Sequence, residues 1–93
     1  MRMDEIYQAT LEKWGEKAQY DQAVEECAEL IIALKHYRRG KAERQSVIDE
    51  LADLTLMLGQ LTWMLGEKEV ELAIGRKRAK LNHLLQNADE PSA

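Results

Sequence analysis

Apolar residues recur along the chain at helical spacing, and a few glycines punctuate them. Met3, Ile6, Tyr7, Thr10, Leu11 and Trp14 fall on one stripe, which predicts a first helix ending near Gly15. Tyr20, Ala23, Val24, Cys27, Leu30, Ile31 and Leu34 form a second stripe. Arg38, Arg39 and Gly40 then read as its C-terminus, with cations in the last turn and a glycine for the left-handed cap. Ser46, with Asp49 three residues on, resembles a capping box that opens a third helix. Val47, Leu51, Leu54, Leu58, Leu61 and Leu65 line that helix, and Gly66 closes it. Glu67 to about Gln86 makes a fourth helix with a basic middle, GRKRAK. No strand pattern, repeat or low-complexity segment interrupts the series. The fold class expected is all-α: an antiparallel, four-helix bundle-like subunit spanning residues 1–86, followed by a disordered tail at 87–93.

Two helices carry more apolar surface than a lone bundle needs. Ile32 and Ala33 lie off the main stripe of the second helix, and Ala52, Leu56 and Trp63 sit opposite the leucines of the third. A helix that is apolar on two sides is buried on two sides. In 93 residues the second side is expected to meet another subunit, in a homodimer or homotetramer. The net charge of −4 argues against a nucleic-acid surface. No apolar run approaches the roughly 20 residues of a membrane span, so no membrane partner is expected. The start, MRMDEIYQ, lacks the apolar core of a signal peptide. Cys27 is the sole cysteine and is read as a small buried side chain; with no disulfide to form, a cytoplasmic location is expected.

The acidic residues change the picture. Glu26 and Glu29 share a helix face, with Glu25 beside them, and Glu50 and Asp53 repeat the spacing on the third helix. If these helices pack antiparallel, the two pairs face each other across a groove. Four carboxylates at a partly buried site repel unless a cation sits among them. All four are hard oxygen ligands, so Mg²⁺, or Mn²⁺ in its place, suits them better than zinc. A di-iron centre would need Glu-x-x-His pairs; Ala33 and Lys80 stand three residues before the two histidines. No glycine-rich phosphate loop or nucleophile–histidine arrangement is present.

EECAEL followed by DELADL resembles the EExxE…ExxD signature of the MazG-like all-α nucleoside triphosphate pyrophosphohydrolases, over about Gln22 to Leu61. The resemblance implies Mg²⁺-dependent cleavage of a nucleotide, such as a dNTP, between the α and β phosphates, giving a monophosphate and pyrophosphate. It implies obligate oligomers and a house-cleaning role in the nucleotide pool. By the motif match Glu26, Glu29, Glu50 and Asp53 are the metal ligands, and Glu25 positions or activates the attacking water. Lys77, Lys80 and Asn82 are candidates for the substrate phosphates, and Trp14, Met57 and Trp63 for the base pocket. Phosphoribosyl-ATP pyrophosphohydrolases are similar in length and acidic motif. A non-catalytic helical interaction module would use the same two-sided helices for association alone.

Overall fold

The computed structural model describes residues 1–87, and these form four α-helices with no strand among them. They are α1 (Met3–Trp14), α2 (Glu16–Arg38), α3 (Arg44–Leu65) and α4 (Glu67–Gln86). All of the expected tail beyond Asn87 lies outside the described residues. No described helix is long and apolar enough to cross a membrane.

The helix ends follow backbone chemistry. Asp4 and Glu5 open α1, and Lys35, His36 and Arg38 close α2, each charge matching the helix dipole. Gly40 takes φ 70°, which lets its N–H reach the Tyr37 carbonyl at 3.0 Å and the Lys41 N–H reach that of His36 at 2.8 Å. These two bonds satisfy carbonyls that the end of α2 would otherwise leave open. The capping box expected at Ser46 does not form. The helix begins earlier, at Arg44, so Ser46 lies inside the first turn, and Asp49 accepts a bond from the Gln45 amide at 2.8 Å.

The main packing is between α2 and α3, which the short Arg39–Glu43 connection makes antiparallel. The line that α2 buries runs through Gln19, Ala23, Glu26, Leu30 and Ala33. The line on α3 runs through Val47, Glu50, Leu54, Met57, Gln60, Leu61 and Met64. Both lines are displaced from the apolar stripes read in the sequence. Val24, Cys27, Ile31 and Leu34 on α2 are exposed, as are Leu51, Leu58 and Leu65 on α3. Among the described residues, Ala23 and Val47 are the buried apolar side chains, beside the buried polar Gln19, Glu26 and Gln60.

A polar network seats α1 on this pair. Gln60, only 3% exposed, donates to the Tyr7 carbonyl at 3.0 Å and accepts from the Thr10 hydroxyl at 2.7 Å. Gln19 donates to the Thr10 carbonyl at 3.3 Å. Tyr7 stacks at a tilt on Trp63, with ring centroids 6.3 Å apart. Trp63 is therefore half-covered by α1, which takes the place assigned to another subunit in the sequence reading.

Among the helices of the same chain, α4 meets only α3, and that sparingly. It leaves through Gly66, whose φ of 137° few other residues adopt. Leu72, Ile74, Leu81, Leu84 and Leu85 are all more than half exposed. The radius of gyration is 17.4 Å, against about 13 Å for a compact 100-residue domain. Covering such a leucine or isoleucine fully is worth about 1.5–3 kcal/mol, so α4 has a strong reason to find a surface.

Gly59 tests how α1 is seated. A Cβ there would overlap the Tyr7 hydroxyl and touch the ring carbon that carries it. Gly59→Ala is expected to destabilise the protein by about 1–3 kcal/mol in urea unfolding, the usual cost of overpacking. Adding Tyr7→Phe should recover part of that loss, and no recovery would mean the clash lies elsewhere.

Candidate metal centre

The acidic site is built where the buried lines of α2 and α3 cross. Glu26 and Glu29 stand one turn apart on α2, and Glu50 comes from the antiparallel α3. One carboxylate oxygen from each lies within 4.8 Å of the other two. Glu26 is 9% exposed, while Glu29 and Glu50 are half-buried. Gln22 donates to Glu26 Oε1 at 2.7 Å, but Glu26 Oε2 and Glu50 Oε2 are buried with no hydrogen-bond partner. A buried carboxylate oxygen without a donor is costly. The donor set is all carboxylate oxygen, the type that Mg²⁺ and Mn²⁺ take. Two unpartnered oxygens, on two of the three convergent carboxylates, fit such an ion.

The remaining acids stand at the rim. Asp53 is exposed, one turn beyond Glu50 on α3, and is not among the three convergent carboxylates. Glu25 is exposed as well, and its charge still acts on Glu29. Among the described residues, no ion pair reaches the cluster. Arg2 pairs with Asp4 and Glu5 and Lys17 with Asp21, all at the surface of α1 and the start of α2. The crowding holds the Glu29 carboxyl above the ordinary glutamate range. Repulsion from Glu26 is the largest cause, followed by loss of water, the charges of Glu50 and Glu25, and a hydrogen bond with Glu50.

Beside the cluster lies a cleft of about 370 Å³ between α1, α2 and α3, lined by Thr10, Trp14, Ala18, Gln19, Gln22 and Met57. It brings together Trp14 and Met57, two of the three base-pocket candidates. Trp63 instead lines two other depressions, one with Glu12 and one with Met64. Gln22 connects the two regions, since it both lines the cleft and donates to Glu26. Gln19 and Gln22 were not among the residues expected at the site. Their signal was available: Gln22 precedes Glu26 by one helical turn, and Gln19 lies a further turn back on the same face. Lys77, Lys80 and Asn82 are exposed on α4, which does not touch α2. Asn82, five residues after Lys77, falls on a different face of that helix.

The raised Glu29 carboxyl has a thermodynamic consequence. Its proton is held more tightly in the folded than in the unfolded chain. The stability this contributes is fully present below the unfolded pKa and is lost as pH rises through the folded one. Metal-free protein should therefore melt at a falling temperature as pH climbs out of the ordinary glutamate range. Glu29→Gln should flatten that profile and melt above wild type at neutral pH without metal. A lower melting temperature for the variant under those conditions would contradict the geometry described.

No protein-family model, no curated protein and no solved structure matches the chain.

Proposed function

We propose that the chain is a Mg²⁺-dependent nucleoside triphosphate pyrophosphohydrolase, acting as a homo-oligomer on nucleotides such as dNTPs. The observation that carries this reading is the convergence of Glu26, Glu29 and Glu50, with two oxygens lacking any donor, next to a cleft faced by an indole and two amides. The EExxE…ExxD resemblance points the same way.

In this reading Glu26, Glu29 and Glu50 hold the ion, and Asp53 at the rim completes the set. The bound cation would neutralise phosphate charge and orient the anhydride for in-line attack. Glu25, which is exposed, would accept a proton from the attacking water. Water adds to phosphorus, the bond between the α and β phosphates breaks, and pyrophosphate leaves with the electron pair. Gln22 keeps Glu26 Oε1 fixed, which leaves Oε2 to the ion. Trp14 offers a face for a base to stack on, and Gln19 and Gln22 offer amides to its edge. The cleft volume lies within the range usual for small-molecule sites.

Two measurements test the proposal. Mg²⁺ should raise the melting temperature of wild type and leave Glu26→Gln unmoved, because a ligand stabilises the state that binds it. Incubation with Mg²⁺ and a panel of common and deaminated dNTPs should release pyrophosphate and the matching monophosphate. Asp53→Asn should lower that release by at least about tenfold, the equivalent of about 1.4 kcal/mol of transition-state stabilisation. A chain inert toward every dNTP but active on phosphoribosyl-ATP would change the substrate. A chain inert toward both, with no metal response, would be an interaction module.

A further inference from the structure

The cleft between α1, α2 and α3 has one wall whose hydrogen-bonding sense is fixed by the fold. Gln19 and Gln22 stand one turn apart on α2, and both line it. The Gln19 amide nitrogen donates to the Thr10 carbonyl at 3.3 Å, and the Gln22 amide nitrogen donates to Glu26 Oε1 at 2.7 Å. A backbone carbonyl and an ionised carboxylate only accept. Neither amide can turn over without setting oxygen against oxygen, so the carbonyl end of each is the end left for a ligand.

No hydrogen bond among the described residues ends on Gln19 Oε1, and that atom is not one of the buried oxygens left without a donor. It is therefore open, on a side chain that lines the cleft. Gln22, one turn on, is exposed, and its bond to a carboxylate polarises the amide and strengthens its oxygen as an acceptor. The Thr10 hydroxyl has the same sense. Its one hydrogen is shared between Gln60 Oε1 at 2.7 Å and the Tyr7 carbonyl at 3.0 Å, which leaves lone pairs. Opposite this acceptor wall, Lys13 Nζ lies over one face of the Trp14 ring, 4.8 Å from its centroid, so a planar ligand has the other face.

We propose that this cleft selects nucleobases with an exocyclic amino group, cytosine or adenine, over the same rings with a carbonyl in its place, uracil or hypoxanthine. This rests on the nucleotide reading above and names its substrate class. An amino group has two N–H donors and can meet Gln19 Oε1 and Gln22 Oε1 together. A carbonyl in that position sets oxygen against both oxygens, which then lose water with no donor in return. Gln19 and Gln22 are the specificity-determining residues, while stacking on Trp14 contributes affinity common to all bases. The nucleotides consumed are then amino-bearing ones, not the products of their deamination.

Binding is read separately from turnover. The α,β-imido analogues of dCTP, dUTP, dATP and dITP, whose bridging nitrogen resists hydrolysis, are titrated calorimetrically into the full-length protein with Mg²⁺. In whichever pair the ring fits, C with U or A with hypoxanthine, the amino-bearing member should bind at least about tenfold tighter. Equal affinity within that pair, or a preference for the oxo member, would overturn the proposal. Gln19→Met and Gln22→Met remove the acceptors at nearly constant size, and each should bring the ratio below about threefold while Mg²⁺ still raises the melting temperature. Gln22 is exposed, so Gln22→Met gives the answer even where Gln19→Met, at a buried position, fails to fold. An unchanged ratio in Gln22→Met would also overturn it. Pyrophosphate release from all dNTPs alike, with no preference in binding, keeps the enzymatic reading and removes the selectivity. Amino-selective binding with no release from the matching dNTP does the reverse. Binding of no analogue removes both.

Discussion

Carboxylates are expensive to take out of water, and the packing of α2 on α3 takes out two. Glu26 and Glu50 occupy positions in the buried lines where a simple helical hairpin would place leucine or alanine. Each leaves an oxygen without a donor. Burial of this kind is tolerated when something outside the chain compensates it, or when a proton stays behind. The Glu29 carboxyl, held above the ordinary glutamate range by its neighbours, leans toward the second response. The proposed Mg²⁺ would supply the first. This tension is the constraint around which the other features of the chain are arranged.

The polar contacts of α1 belong to the same arrangement. Gln60 and Gln19 fix α1 through its own backbone carbonyls and the Thr10 hydroxyl, so the helix is held by directional bonds as well as by apolar area. That fixes Trp14 against one wall of the cleft and Met57 against another. Gly59 allows the close approach, since any side chain there would meet Tyr7. A cleft held by directional contacts is a better scaffold for selecting a flat ligand than one held by adaptable apolar packing.

The uncovered apolar stripes have a matching logic. Polar side chains fill the seam inside the chain, and the leucines Leu51, Leu58 and Leu65 are left outside it. A soluble protomer rarely exposes so much contiguous apolar surface without a partner. The arm-like α4 carries the same surplus together with the basic charge that the acidic centre lacks.

Helical periodicity, the glycines at 15, 40 and 66, and the charges at helix ends determined the number of helices and all their bounds but the start of α3 from the sequence, because these signals act within a few residues. Glu26, Glu29 and Glu50, which the spacing put on facing helices, do converge, whereas Asp53, one turn beyond Glu50, stands exposed outside the cluster. The rotation of each helix about its axis was not legible. Hydrophobicity pointed to Val24, Ile31, Leu51 and Leu58 as the inner faces, whereas the fold buries the lines of Gln19, Glu26, Glu50 and Gln60. Only the three-dimensional pairing decides which of two adjacent faces meets the neighbouring helix, because burial depends on what lies opposite and the sequence of one helix carries no record of that. The same holds for the cleft. Trp14 and Met57 are distant in sequence and meet through the docking of α1, while Trp63, equally aromatic and equally plausible by composition, is turned to the other side.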